Sequence, residues 1–299
     1  MLPTRYALIT GAASGLGRAL ALRLARDGWQ AALADCNLAG LEQTQQLIEQ
    51  AGGCARVEAL DVRDAEAWRQ LRTRLEQQWP RLDLLVNNAG VCAGGPVGEC
   101  PIDDWRWVLD VNLHGVYLGC HTMIDWLKQN DRRPHLVNVA SIAAFLGAPE
   151  MPAYNAAKAG VVALSETLYA ELAPLGVGVS VVCPGFVGTQ LLTTGRFSNE
   201  RVQAAAERYM RQAQITPDDV AAAIVRAIAR RRLYVVLGWR ARLLWRFKRW
   251  FPRTLSRLMA AGYRRELQSA DSPRRGSTDQ PRAERSAALG REEHQEAKP

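Results

Sequence analysis

The sequence predicts an α/β protein built on a Rossmann-type, doubly wound parallel sheet, a single domain followed by a C-terminal basic amphipathic helical extension. Three observations predict it. Short β-rich runs alternate with longer stretches of helical hydrophobic period through most of the chain, the rhythm of βαβ units. The first run ends in a glycine-rich turn that opens directly into an amphipathic helix. The charge is uneven: residues 1–220 hold 19 basic and 23 acidic residues, whereas 221–265 hold 13 arginines and lysines and no acid.

Taken in order, the strands fall near 5–10, 30–35, 55–60, 82–87, 135–140, 177–183 and 233–237. Helical patterns occupy 15–28, 38–51, 64–79, 103–129, 152–175 and 216–231, with Gly28 and Gly52 where C-caps belong. Right-handed crossovers place the ligand at the carboxyl ends of the strands. The division expected is 1–238 for the Rossmann-type domain, 239–268 for the basic extension and 269–299 for a disordered tail, which lacks aromatic residues and carries six charges of each sign.

Composition excludes several classes. With 48% hydrophobic and 23% charged residues the chain is neither fibrous nor disordered as a whole. Its six cysteines form no C-x-x-C pair and no zinc spacing, so they read as reduced thiols and no metal is expected. His114, His121 and His135 form no ligand cluster. The first strand begins at Arg5, which leaves no length for a signal peptide, and no run of about 18 apolar residues reads as a membrane span. A cytoplasmic protein, peripherally associated with membrane at most, is the expectation.

The chemistry concentrates at strand ends. Thr10-Gly11-Ala12-Ala13-Ser14-Gly15-Leu16-Gly17 has the spacing G-x-x-x-G-x-G, and its glycines let a pyrophosphate approach the N–H groups at a helix N-terminus. Asp35 ends the second strand, where a carboxylate accepts both ribose hydroxyls of an adenosine and repels a 2′-phosphate. No basic residue stands at Cys36 or Asn37, and Ser14 precedes Gly15, so NAD is favoured and NADP is the lesser expectation. Tyr154 and Lys158 are four apart on one helix face. A neighbouring ammonium, together with an oxidised nicotinamide, draws a phenol down from its ordinary value near 10, so that the tyrosine exchanges a proton with an alcohol or carbonyl oxygen. Ser141, at the end of the fifth strand, is placed to hydrogen-bond the same oxygen.

These residues resemble the classical short-chain dehydrogenase/reductase (SDR) family over roughly 5–240. Thr10 to Gly17 is similar to its glycine-rich motif, and Asp61-Val62 to its adenine-binding position. Asn87-Asn88-Ala89-Gly90 resembles the motif that stabilises its sheet and lines its cofactor cleft. Asn112, Ser141, Tyr154 and Lys158 fall on its catalytic tetrad. Pro184, Gly185, Val187 and Thr189 fall on its loop at the nicotinamide carboxamide. The resemblance implies that Lys158 binds the nicotinamide ribose and tunes Tyr154, that Ser141 orients the substrate oxygen and that Asn112 holds a water linking Lys158 to solvent. It also implies a homodimer or homotetramer.

The reading is an oxidoreductase acting on a small, lipophilic alcohol or its ketone or aldehyde, with residues 142–152 and 186–213 setting the substrate. The alternative is a nucleotide-binding redox sensor that acts through its basic segment; a sensor has no need of Tyr154 and Ser141 together. Residues 239–265 add a further expectation. On a helical wheel Trp239, Leu243, Leu244, Phe247, Trp250 and Phe251 share one face, and Arg242, Trp245, Arg246, Lys248 and Arg249 the other, with Pro252 as a break. Arg240 falls inside the apolar face and Trp245 inside the polar one. The pattern suits an anionic membrane surface better than nucleic acid, against which the apolar face would have no use; the alternative is that this face packs on the protein's own sheet or on a second subunit.

Overall fold

The computed structural model describes residues 4–188, 191, 194–211 and 213–271, the side chains of 209, 210 and 269–271 excepted. The chain divides into a compact unit, Met1–Met259, and a second, Ala260–Pro299.

In the first unit β1 (Arg5–Thr10), α1 (Gly15–Arg26), β2 (Trp29–Asp35), α2 (Leu38–Gln50), β3 (Cys54–Ala59), α3 (Ala65–Glu76) and β4 (Leu84–Asn87) alternate as the periodicity requires. A two-residue strand β5 (Ala93–Gly94) follows, then α4 (Ile102–Leu109), a π-helical stretch Asp110–His114, and α5 (Gly115–Lys128). Beyond them come β6 (His135–Val139), α6 (Ala143–Leu146), α7 (Pro152–Leu172) with a 3₁₀ turn Ala173–Leu175, and β7 (Gly178–Cys183). The chain continues through β8 (Arg196–Phe197), α8 (Glu200–Arg211), α9 (Pro217–Arg230), β9 (Tyr234–Val236), α10 (Trp239–Trp250) and α11 (Pro252–Asp271). The end of α11, residues 260–271, is the described part of the second unit. Residues 272–299, most of the expected tail, lie outside the described residues.

Seven parallel strands form one sheet in the order β3-β2-β1-β4-β6-β7-β9. The order reverses beside β1, and the carboxyl ends of β1 and β4 diverge into a crevice there. Both faces are covered, which is why strands such as Leu84–Asn87 and Gly178–Cys183 are buried along their whole length. On one face Trp68, Leu71 and Leu75 of α3 meet Met123 and Leu127 of α5 and Val161, Leu168 and Leu172 of α7. On the other, Leu20 and Leu24 of α1 pack with Leu41 and Ile48 of α2 and Val220 and Ile224 of α9. Each such leucine stabilises the fold by about 1.5–3 kcal/mol of apolar burial.

Helix ends follow their capping residues. Asp64 accepts from the Glu66 and Ala67 amides at the start of α3, and Thr216 with Asp219 forms a capping box on α9. Gly28 and Gly52 close α1 and α2 at φ 76° and 78°.

Three expectations need correction. The helix expected over 103–129 is interrupted: at Asp110–His114 the turn widens, and there α5 presses so close to the sheet that a Cβ on Gly119 would lie 2.4 Å from Asn87 Oδ1. The segment 186–213 contains β8, paired parallel with β5, and α8, neither of which was expected. Trp245, expected on the polar face of its helix, turns inward with Ala241: its ring lies 6.1 Å from Phe145 and 5.4 Å from Tyr234.

Candidate active site

The glycine-rich turn is fastened from below. Thr10 Oγ1 accepts from the Asn88 and Ala89 amides at 2.9 and 3.1 Å, and Asn88 Nδ2 donates to the Thr10 and Gly11 carbonyls at 2.9 and 3.2 Å. Gly11 stands at φ 68°, and a Cβ on Gly17 would lie 2.1 Å from the Gly11 carbonyl oxygen. The start of α1 therefore presses directly on the turn. Ser14 caps α1 without a side-chain bond, and its first turn, with Gly15 and Leu16, carries no acid, so its amides face a cleft of about 440 Å³. Ala13, Ser14, Gly15, Arg18, Asn37 and Gly40 line that cleft. Open amides, a cradle a Cβ would fill and a helix N-terminus together fit a pyrophosphate.

At the far wall Asp35 Oδ2 accepts from the Ala13 amide at 3.3 Å and Oδ1 from the Asn37 amide at 3.0 Å. Arg18, the nearby cation, is engaged with Thr44 Oγ1 at 2.9 Å, Gly40 O at 3.2 Å and the Ala13 carbonyl. Asp61 is bound by Arg63 (2.6 Å), whose hydrogen bond holds its carboxyl below the usual range. Val62 is buried, and its carbonyl accepts from the Trp68 indole at 3.0 Å.

At the carboxyl ends of β4 and β6 the fold brings Asn112, Ser141, Tyr154 and Lys158 close together. Pro152 starts α7 and fits an N-terminal helical position, and one turn on, Tyr154 and Lys158 share the face turned to the sheet. Both are buried, and Lys158 Nζ lies 5.7 Å from the Tyr154 ring centre and donates to Val139 O at 2.9 Å. Asn112, in the π-helical turn, clasps Val91: Oδ1 accepts from its amide and Nδ2 donates to its carbonyl, each at 2.8 Å. A Cβ on Gly90 would come within 3.1 Å of Asn112 Oδ1 and 3.6 Å of Lys158 Nζ. Ser141 Oγ accepts from the Ala143 amide at 3.1 Å. The Pro184 carbonyl holds the Ile142 amide at 2.9 Å, Gly185 follows it, and Val187 pairs with Ile215. Thr189 lies outside the described residues.

Burial raises the Tyr154 phenol, and the Ser141 hydroxyl pulls it back. Burial also lowers Lys158 to about 8. Cys92 and Cys183 flank that ammonium, both pushed up to about 12 by burial, so near neutral pH they are uncharged thiols. Neither was foreseen as part of the site, because an isolated buried cysteine has no sequence signature.

With this geometry in hand, comparison with known proteins is decisive. The family described as short chain dehydrogenase matches residues 5–199. The chain belongs to the short-chain dehydrogenase family. It is similar to the probable oxidoreductase EphD of Mycobacterium tuberculosis, at 33% identity over 255 residues, which is 83% of this chain and 43% of that protein. The chain thus spans less than half of that relative's length. It is 33% identical over 218 residues to 3beta-hydroxysteroid dehydrogenase 1 of Eggerthella lenta, covering 72% of this chain and 83% of that one. A solved short chain dehydrogenase/reductase from Burkholderia phymatum, in complex with NAD, superimposes with a TM-score of 0.77 at 34% identity, over 82% of this chain and 93% of that chain.

In this short-chain dehydrogenase Asn87, expected to stabilise the sheet, does so through a polar thread inside the core whose other members, Asn138 and Ser165, the sequence does not mark. Asn87 Nδ2 donates to Asn138 Oδ1 at 2.9 Å, and Asn138 Nδ2 to Ser165 Oγ at 3.1 Å, tying β4 to β6 and α7 beneath the site. The pairing of Asn87 with Asn138 in the β4–β6 register is the signal that could have found it. Among the described residues no cluster of metal-binding groups occurs, and no helix is long and apolar enough to cross a membrane.

Proposed function

We propose that the chain is a nicotinamide-dependent oxidoreductase that interconverts an alcohol and its ketone or aldehyde, with Tyr154 as general acid/base. The observation that carries this reading is the convergence of Ser141, Tyr154 and Lys158 at the carboxyl edge of the sheet, next to a turn built for a pyrophosphate. The nicotinamide, when bound, supplies or accepts the hydride.

The chain's own residues do the rest. Thr10, Gly11, Ser14, Gly15, Leu16 and Gly17 would hold the pyrophosphate, with Asn88, Ala89 and Gly90 as the floor. Asp35 would take the adenosine ribose, with Asp61 and Val62 beside the adenine. Pro184, Gly185, Val187 and Thr189 would flank the carboxamide. Tyr154 gives its phenolic proton to a carbonyl oxygen or takes one from an alcohol, and Ser141 holds that oxygen in reach. Lys158, brought to about 8, is poised to return a proton to Tyr154 near neutral pH. Asn112 fixes Val91 and the wall beside Lys158, and in the family arrangement would hold a water there.

NAD is the proposed cofactor, because Asp35 ends β2 bonded to the Ala13 and Asn37 amides of the cleft wall, and Arg18, which lines the cleft, is bound to Thr44, Gly40 and Ala13. A lipophilic substrate is proposed because Val91, Trp107, Met151 and Leu191 pack against the apolar cluster that contains Tyr154; the steroid named for the Eggerthella lenta relative is of that class. A homodimer or homotetramer is proposed from the resemblance, and sedimentation velocity reads it.

The test is Tyr154→Phe assayed with NAD and NADP against alcohols of increasing chain length. We expect kcat to fall by about 10²–10⁴ while NADH binding stays near wild type. A variant that keeps more than about a tenth of kcat would overturn the role of Tyr154.

A further inference from the structure

We infer that the outer surface of α10 and the start of α11 docks on an anionic lipid bilayer. The inference rests on this surface and not on the chemistry proposed for Tyr154.

Packing settles which side of α10 is spoken for. Ala241 is buried, Trp245 stacks against Phe145 and Tyr234, and one turn into α11 Leu255 is buried. Those residues anchor the segment on the first unit. The apolar residues that remain point away from it: Trp239 is 69% exposed, Leu243 60%, Trp250 79%, Phe251 56% and Leu258 60%. Trp239, Leu243 and Trp250 recur at helical spacing, so they form one stripe rather than scattered exceptions. Arg240, Arg242, Arg246 and Arg249 on α10, with Arg253 and Arg257 on α11, are exposed alongside.

Charge chooses the occupant. Residues 239–259 hold seven basic residues and no acid. A second copy seated on this surface would bring seven like charges against seven. Nucleic acid would satisfy the arginines but would leave Leu243, Leu244 and Leu258 in water. A bilayer with anionic headgroups satisfies both sets: tryptophan and leucine enter the acyl boundary, and the guanidinium groups stay among the phosphates.

The position has a consequence. Trp245 holds α10 against Phe145, four residues beyond Ser141, so the docking surface adjoins the segment expected to set the substrate. If the proposed lipophilic substrate is correct, it would reach the cleft from the bilayer side.

The experiment is co-sedimentation of the full chain with vesicles of phosphatidylcholine alone or mixed with phosphatidylglycerol, at low and raised salt. We expect pelleting with the mixed vesicles only, weakened by salt, with a blue shift of tryptophan emission that needs no variant. Arg246→Glu with Arg253→Glu should lower partitioning by roughly fivefold or more per residue. Trp239→Ala with Trp250→Ala should lower it by about tenfold or more, with circular dichroism and NADH binding unchanged in both. The inference is overturned if the chain stays in the supernatant with anionic vesicles at low salt, or if both variants pellet like wild type. It is equally overturned if the variants shift only self-association, or if the chain retains single-stranded nucleic acid and no vesicle. Loss of turnover in Tyr154→Phe leaves every one of these readings unchanged, so the two proposals fail separately.

Discussion

At the cofactor end, position is set by main chain against main chain: Gly17 lies over Gly11 with no room for a Cβ, and Asn88 stitches the turn to the neighbouring strand. At the substrate end the main chain contributes the short β5–β8 pairing, and long side chains carry more of the work. There β8 and α8 are held by Arg196 on Asp104 and Asn199 on Glu99, both near solvent, and by a half-buried ion pair between Arg201 and Glu150. The first arrangement tolerates almost no change, and the second tolerates a great deal. A fold that keeps one end rigid and the other adjustable can bind one cofactor and take many substrates.

The contrast is broken most sharply at Gly17. Gly17→Ala places a Cβ 2.1 Å from a carbonyl oxygen that belongs to backbone and cannot rotate away. We expect a loss of about 3 kcal/mol or more in stability, or a displaced α1 that no longer binds NADH. Urea unfolding and NADH fluorescence read the two; a variant normal in both would show that the turn is not rigid.

Asp35 tests the same end through charge. Asp35→Ala should cost about 1.5–3 kcal/mol of NAD binding and narrow the preference over NADP, as kcat/KM with each cofactor measures. A wild-type enzyme that prefers NADP would mean that a cation elsewhere governs the pocket.

How much of this was legible in the sequence follows the same division. Strands β1 to β4 and the turn at Thr10–Gly17 were readable because their contacts are local: apolar runs, caps and glycines sit within a few residues of what they determine. The tetrad was readable by resemblance. The π-helical turn at Asn112 was not, since no proline or break marks Trp105–Lys128. Nor was β8, whose anchor Arg196 finds Asp104 across 92 residues. Trp245 sits between Leu244 and Arg246, so a wheel alone could not say that it faces Phe145.

Beneath both ends, His135 reports on the sheet itself. It is buried on β6 with Nε2 2.9 Å from Ser180 Oγ, and burial lowers it from 6.5 to about 3. The unfolded chain takes up this proton as pH falls below 6.5, and the folded chain does not until about 3. Stability is therefore fully present above 6.5 and declines below it by up to about 1.4 kcal/mol per pH unit. Urea midpoints at stepped pH should fall for wild type and stay level between pH about 6.5 and 5 for His135→Asn; parallel curves would mean that His135 is protonated in the folded protein.

The smallest effect is expected at the adjustable end. Arg196 donates to Asp104 at 2.9 Å and lies 4.0 Å over the Trp107 ring, but its side chain is half exposed. An ion pair in that setting contributes about 1 kcal/mol or less, because water screens the charges and two long side chains must be held still. Arg196→Ala should therefore leave the unfolding midpoint nearly unchanged. Its effect should appear instead in the substrate: Arg196 joins β8 to the helix that carries Trp107, one of the apolar residues packed against the cluster that contains Tyr154. Loosening that join should raise KM for a long-chain alcohol severalfold while kcat and the NADH affinity stay constant, since uniform binding is lost and the Tyr154 geometry is not touched. An Arg196→Ala variant that loses kcat and keeps KM would place this strand in the reacting geometry, and the division between a rigid and an adjustable end would have to be redrawn.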